Sequence, residues 1–363
     1  MKKKRILFAA VDVGYRMGLY SKFINDKYSD KVYAETLSTY ISSKDHYQTE
    51  YTYEYSFHSK PSFYRWYRSL LNFFLALFRY DIFHFISGET LLTRKVRRLE
   101  LMIYKLFGKR VIMHFVGSDI RNEEYIKWKE QNIQQYLQGN DNFPKTLDWQ
   151  NKLISDAEKY ADFILVSTPD LLEIIPKAKY YPVLLDLDKY IGELKAIKIH
   201  KKTENEIVIL HAPSNSKLKG TRYIHETLKK VALNSNYKIR LILTSENDYK
   251  NKPVSRYELF KLYKESDIVI DQLIIGWYGL QSIEALAAGK YVISYVDANL
   301  NTFLYPDCPL EIADKNTLEN VVVGLINKLL IQKNISMSSQ INWLKKYHTI
   351  EGNNELLVQA WGL

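Results

Sequence analysis

Short, β-branched, nearly continuous apolar runs, each followed by a stretch of helical periodicity, recur along this chain and leave few folds open to it. In the first half the runs are RILFAAV (5–11), KVYAETLS (31–38), DIFHFI (81–86), RVIMHFV (110–116) and DFILVS (162–167), with helical patterns notably at 88–107 and 147–160. The second half repeats the scheme with EIVILHA (206–212), KIRLILTS (238–245), DIVID (267–271) and YVISYV (291–296), and with helices from about 220, near 255–265 and near 280–288. Strands that are apolar on both faces belong to parallel sheets covered by helices on both sides. A chain of 363 residues exceeds what one core usually organises. The predicted architecture is α/β, with two doubly wound Rossmann-like domains facing a cleft. Residues 1–186 form the first, 187–205 a polar linker, and 206–363 the second. In such sheets ligands bind outside the carboxyl ends of the strands.

The formal charge of +10 points to anionic partners such as nucleotides or phospholipid headgroups. No nucleic-acid motif accompanies it, so nucleic acid is not an expected partner. Cys308 is the single cysteine, which rules out an internal disulfide and suits a reducing compartment. No apolar run approaches the ~20 residues of a membrane span. The basic opening MKKKRILFAAVDVG reads as a strand, because its apolar run stops at Asp12 without a cleavage site. No cluster with metal-ligand spacing stands out, and neither a metal nor a cofactor is expected.

Two stretches carry the chemistry. In HAPSNSKLKGTRYIHETLKKV (211–231) a strand hands over to a helix through a loop containing Ser214, Asn215, Lys217, Lys219 and Gly220. A helix start near Gly220 would place Lys219 among free backbone N–H groups, where an anion is favoured, and glycine would let a phosphate approach closely. A solvated surface lysine beside a turn glycine is the alternative. In DIVIDQLIIGWYGLQSIEALAAGKYVISY (267–295) a loop with Gly276, Tyr278 and Gly279 turns into a helix beginning at Leu280, with Glu284 on its first turns and Gly289 as its stop. This is a second cradle of the same kind, with a carboxylate able to accept hydrogen bonds from sugar hydroxyls.

Taken in order and with their spacing, Lys219-Gly220 and Gly279-Leu280…Glu284-Ala285…Gly289-Lys290 resemble the donor half of nucleotide-sugar glycosyltransferases of family 4 (glycosyl transferases group 1), which have the GT-B fold. The resemblance covers most of residues 206–300. It implies that Lys219 pairs with the donor diphosphate, Glu284 holds the ribose, and the 276–280 loop donates N–H groups to phosphate. It implies a metal-independent transferase, with retention as the family's outcome. Two positions depart from the pattern. Ser214 stands where the family usually has arginine, and Gly276 where it usually has a glutamate that contacts the donor sugar. Lys217 is the candidate to replace the lost positive charge, and the departure at Gly276 leaves both anomeric outcomes open.

In the first half, VDVGYRMG (11–18) places Gly14 at the first strand-to-helix turn, where the family has a glycine-containing loop beside the donor phosphates. MHFVGSDIR (113–121) offers His114, Ser118, Asp119 and Arg121 at a strand end. By the resemblance His114 faces the donor sugar and, with Lys219, is the catalytic candidate; a core histidine is the alternative. Asp119 reads as an acceptor base or a helix cap. In KPSFYRWYRSLLNFFLALFRY (60–80) aromatic and aliphatic residues recur at helical spacing, with Arg65, Arg68 and Arg79 on another face. The arginine face could meet an anionic membrane while the apolar stripe covers the sheet. The last helix, about 341–360, is expected to pack back on the first domain, as in the family.

The expected function is sugar transfer from a nucleoside-diphosphate sugar to a hydroxyl of a glycan or lipid-linked acceptor, in bacterial surface polysaccharide or glycoconjugate synthesis. The expected location is the cytoplasm or the inner face of the cell membrane. A catalytically silent sugar-nucleotide-binding partner and a sugar-nucleotide epimerase of the same fold are the alternatives.

Overall fold

The apolar runs pair as their pattern requires, in two all-parallel sheets. A computed structural model describes residues 3–39, 51–54, 62–121, 147–198, 206–235, 237–244, 254–331 and 337–363. In chain order the first unit contains β1 (Lys4–Ala10), α1 (Arg16–Lys27), β2 (Val32–Ser38), β3 (Tyr53–Glu54), α2 (Ser62–Arg79), β4 (Ile82–Ile86), α3 (Arg97–Leu106), β5 (Arg110–Phe115), α4 (Leu147–Tyr160), β6 (Phe163–Val166) and β7 (Lys179–Tyr180). Its strand order is β3-β2-β1-β4-β5-β6-β7, so the order reverses between β1 and β4. The two-residue strands at its edges carry no periodicity and escape a reading of sequence pattern.

The second unit contains α5 (Leu187–Ala196), β8 (Glu206–His211), α6 (Ser216–Lys219), α7 (Thr221–Asn234), β9 (Lys238–Leu243), α8 (Arg256–Glu265), β10 (Ile268–Ile270), α9 (Leu280–Ala287), β11 (Tyr291–Ser294), β12 (Glu311–Ile312), α10 (Leu318–Ile331) and α11 (Met337–Tyr347), and the chain closes with α12 (Glu355–Trp361). The strand order is β12-β11-β10-β8-β9, and the reversal falls between β8 and β10. The loops after those two strands are the ones that carry the two motifs. Each sheet is covered on both faces by buried apolar side chains, as strands without polar alternation demand.

Three expected boundaries need correction. The helical pattern at 88–107 becomes a helix only at Arg97, because the buried Glu100 carboxylate accepts from the Leu91 and Leu92 N–H groups (3.0 and 2.9 Å) and holds the preceding segment as a loop. The expected linker begins with α5, capped by Asp186 accepting from Lys189 N–H. Leu187, Tyr190 and Leu194 of that helix are buried in the second unit's core, so this stretch is part of a folded unit. Residues 199–205 lie outside the described residues. The final helix is two helices with a break at 348–354. Gly352 is needed in that break, since a Cβ there would sit 2.5 Å from the Lys345 carbonyl oxygen.

The chain crosses between units twice. After β7 it passes through Val183–Leu185 into α5, and after α11 it returns so that Leu357, Ala360 and Trp361 of α12 are buried against Ile6, Phe8 and Ile82 of the first sheet. Trp361 Nε1 donates to His84 Nδ1 (3.1 Å), and Arg110 Nε donates to the Ala360 carbonyl (2.6 Å) at the helix's C-terminal end, where a cation is favourable. The two crossings are tied together. The Leu185 N–H donates to the His348 carbonyl (2.8 Å), and His348 Nδ1 lies 2.7 Å from the Val183 carbonyl.

Candidate functional site

The loop after β8 does not run straight into the long helix. Asn215 opens α6, a single turn, with its side chain accepting from Leu218 N–H (3.2 Å), and Lys219 is that turn's last residue. Gly220 then adopts φ 72°, a left-handed conformation, before α7 begins. A Cβ at Gly220 would sit 3.1 Å from Ile274 Cγ1, and the Leu273 N–H donates to the Lys219 carbonyl (3.1 Å). The glycine therefore lets the loop after β10 close against Lys219, and the lysine sits at the end of a turn rather than at a long helix's N-terminus. Ser214 and Asn215 are exposed beside it, and the Lys217 side chain lies outside the described residues.

Lys219 Nζ is paired with the fully buried Asp271. The other carboxylate oxygen accepts from Ser282 Oγ (2.7 Å) and from the Gly279 N–H (3.1 Å). Burial works to raise the Asp271 pKa, and Lys219, Ser282 and Gly279 outweigh it and hold the carboxyl below its ordinary value. Asp271 thus joins the two motifs: one carboxylate holds the lysine of the first and the helix start of the second. The loop between them is braced by Gln272, whose Oε1 accepts from the Ile274 and Ile275 N–H groups (both 2.7 Å). Gly276 has φ 83°, and a Cβ there would lie 3.2 Å from Asp297 Cβ. A side chain at this position, glutamate included, meets both a strained backbone and a neighbour.

Glu284 is nearly buried and does not present a bare carboxylate. Arg256 Nη1 donates to its Oε1 (3.3 Å) and the Tyr263 hydroxyl to its Oε2 (3.3 Å). Arg256 also donates to Glu193 (2.9 Å) and lies over the Phe260 ring. Tyr278 points into the core instead of toward a ligand, buried and stacked on Trp277, with its hydroxyl 3.2 Å from His348 Nε2.

Across the cleft, the β1–α1 turn meets this assembly. Gly14 has φ 68°, and a Cβ there would come within 3.5 Å of Leu280 Cδ2. Lys189 Nζ donates to the Tyr15 hydroxyl (2.6 Å), bridging the units. Gly14, Tyr15, Asp186, Lys189, Arg256 and Leu280 line a narrow crevice that opens to solvent. Lys189 and Arg256 are invisible to motif reading, whereas Asp271, a carboxylate ending an apolar strand, leaves a trace in sequence. Asp12, at the end of β1, is pushed up to about 6 by burial and accepts from the Met17 N–H (3.2 Å) at the start of α1.

The acceptor-side candidates need larger corrections. His114 does not face the cleft. It is fully buried in β5, stacked on Tyr20, with Nε2 3.0 Å from Ser167 Oγ, and burial together with nearby Arg16 keeps its pKa well below the usual value. A residue in a central parallel strand points into one of two covered faces, and neither reaches the cleft. Asp119 is a turn cap: Gly117 N–H (2.7 Å) and Ile120 N–H (3.2 Å) donate to one oxygen and Val116 N–H (2.9 Å) to the other. Arg121 is tied to Asp170 (2.8 Å) and Thr168 (3.1 Å). Ser118 is exposed and, with Arg65, Ser69, Glu89 and Trp149, lines a larger crevice of about 1290 Å³ at the carboxyl ends of the first sheet. Arg79 is exposed, and its guanidinium binds the buried Glu35 carboxylate (2.6 Å).

No family model matches the sequence, and no curated protein matches it. Solved structures do match, over the whole length of the chain. Anabaena HepE in complex with UDP-glucose aligns at 14% identity and a TM-score of 0.60, covering 99% of this chain and 100% of that one. Sucrose-phosphate synthase from Thermosynechococcus elongatus aligns at 12% and 0.58, covering 99% and 98%. The fold is GT-B. A Listeria monocytogenes protein described as a UDP-N-acetylglucosamine 2-epimerase also aligns, at 11% identity and 0.53, covering 99% and 96%.

Proposed function

We propose that this protein is a metal-independent glycosyltransferase of family 4 that moves a sugar from a nucleoside-diphosphate sugar to a hydroxyl of a glycan or lipid-linked acceptor. One observation carries the reading. Lys219 and the start of α9 meet where the second sheet reverses its strand order, and Gly14 of the first sheet sits directly against that helix start. The nucleotide sugar bound by HepE supports a donor of the same class.

In this reading the bond between the anomeric carbon and the diphosphate oxygen breaks as the acceptor oxygen bonds to that carbon. The leaving diphosphate gathers negative charge. Lys219, held in place by Asp271, meets it with one of its ammonium N–H groups engaged by the carboxylate and the others directed by the same anchor. The unshared amides at the start of α9 add to the potential, and fixed donors of this kind need no reorganisation as charge develops. Glu284, oriented by Arg256 and Tyr263, accepts from the ribose hydroxyls. The acceptor enters through the crevice lined by Ser118. Among the described residues, the carboxylates lining that crevice, Asp119 and Glu89, are engaged by backbone amides and by Arg94.

An epimerase is the second reading, favoured by the Listeria structure on the same fold. Incubation with UDP-, GDP- and ADP-sugars separates the two. Nucleotide release that accelerates with acceptor supports transfer. An epimerised sugar or free nucleotide without acceptor dependence supports epimerisation, and binding without turnover supports a silent partner.

A further inference from the structure

Helix α2 is apolar on two faces and uses only one of them to build the fold. Phe73, Ala76, Leu77 and Tyr80, in and just past the helix, are buried on the first sheet. Phe63, Tyr67, Phe74 and Phe78 fall on a second stripe, at i, i+4, i+11 and i+15, and are 77%, 52%, 51% and 74% exposed. The sequence pattern is consistent with either a sheet-covering or a membrane-facing stripe, and the structure buries Leu77 while turning Phe63, Tyr67, Phe74 and Phe78 outward. Helix α3 continues the surface with Leu99, Met102 and Leu106, the last 82% exposed. The Phe78 and Phe107 rings meet edge to face at 6.0 Å and join the two patches into one. With large rings carrying 150–250 Å² each, the joined face exposes on the order of 600 Å² of apolar surface, at the top of what monomers carry. No described residue covers it.

The charge along residues 60–110 is mostly of one sign. Residues 60–110 contain eleven Lys and Arg against three Asp and Glu. All three acids are engaged internally: Asp81 accepts from Arg5 N–H, Glu89 pairs with Arg94, and Glu100 is buried on loop amides. Arg98 and Lys105 are exposed on α3 beside its part of the apolar face. An apolar stripe with a cationic border is complementary to an anionic bilayer, where rings enter the acyl boundary and cations meet headgroups. It opposes a second copy of itself, whose border has the same sign.

We propose that the joined α2–α3 face is a docking surface for an anionic phospholipid membrane, entered by Phe63, Phe74, Phe78 and Leu106. Arg65 and Ser69 wall the larger crevice from the other side of the same helix, so docking brings that crevice to within about one helix diameter of the lipid surface. A lipid-linked acceptor would then enter it with its lipid still in the bilayer, a consequence that rests on the transferase reading, whereas docking itself does not.

Co-sedimentation with vesicles of phosphatidylcholine, alone and with added phosphatidylglycerol, tests this on the full chain. The protein is expected to sediment with the anionic vesicles and to be released by salt. Phe63→Ser with Phe78→Ser changes only exposed side chains, so the melting temperature should hold while vesicle affinity falls roughly a hundredfold, about tenfold per ring. Arg98→Glu with Lys105→Glu should cut anionic binding and leave the melt unchanged. No binding to anionic vesicles, or equal binding by the ring variant, overturns the proposal. Concentration-dependent self-association that the ring variant abolishes, without vesicle binding, overturns it in favour of a second copy. Nucleotide release with a soluble acceptor, run in parallel on the ring variant, should be unchanged. Docking without release sinks the transferase reading alone, and release without docking sinks the membrane proposal alone.

Discussion

Replacing Lys219 with methionine should expose how much of the second unit's stability rests on one buried charge. Asp271 is fully buried and the Lys219 side chain only 13% exposed, so solvent does little to compensate a lost partner. With the ammonium gone, the carboxylate keeps only Ser282 and the Gly279 amide. Breaking a buried pair from one side costs about 3–5 kcal/mol. A unit of about 150 residues has an unfolding entropy near 0.3 kcal/mol/K, so Lys219→Met should melt roughly 10 °C lower. Removing both charges in Lys219→Met/Asp271→Asn, whose amide oxygen can still accept from Ser282 and the Gly279 N–H, should recover most of that loss, because no charge is then stranded. The double variant is also the clean test of the ligand role. UDP at about 100 times its Kd should raise the wild-type melt by RT ln(1 + [L]/Kd), about 2.7 kcal/mol or roughly 9 °C. The folded double variant should show little of that shift. Differential scanning fluorimetry with UDP, GDP and ADP reads every arm. A full shift in the double variant removes Lys219 from the ligand site, and a single variant that melts like wild type refutes the energetics.

Glutamate at Gly276, the residue usual in family 4, should cost about 1–2 kcal/mol instead of improving transfer, because φ 83° and the contact with Asp297 both oppose a side chain; thermal melts of Gly276→Glu and Gly276→Ala check it. Trp361→Ala should cost about 3–5 kcal/mol and free α12 from the first sheet, which limited proteolysis at the C-terminus would reveal. Burial lowers the His84 pKa to about 3, so the unfolded imidazole takes up a proton near pH 6.5 while the folded one does not. Stability from this residue is therefore present above pH 6.5 and lost as pH falls, at up to about 1.4 kcal/mol per pH unit. His84→Gln should flatten the urea-denaturation pH profile between 6.5 and 4 relative to wild type; parallel profiles would show that His84 is not the titrating group.

The sheets were legible in sequence because a strand buried on both faces has to be continuously apolar, and runs such as RVIMHFV and EIVILHA admit little else. The motif loops were legible for a related reason: they sit at strand ends, and the reversal of strand order brings two of them together. The partners within the site were not legible. Asp271 lies 52 residues from Lys219, and Arg256 lies 28 from Glu284, and a residue pattern carries spacing but no pairing. His114 was not legible as a core residue because its position near a strand end looks cleft-facing, while the groups that enclose it, Tyr20, Ser167 and Tyr181, are distant in sequence. The split of α2 was not legible because periodicity locates apolar positions without saying which of them meet the sheet.

The closing helix has a practical consequence. The chain's last residues belong physically to the unit formed by its first, so a fluorophore or fusion attached after Leu363 would report on the amino-terminal lobe. Distance measurements between the lobes call for a label on the other one, for instance on the exposed surface of α10. The two connecting segments are joined at His348 by two hydrogen bonds, so sliding them past each other would break both.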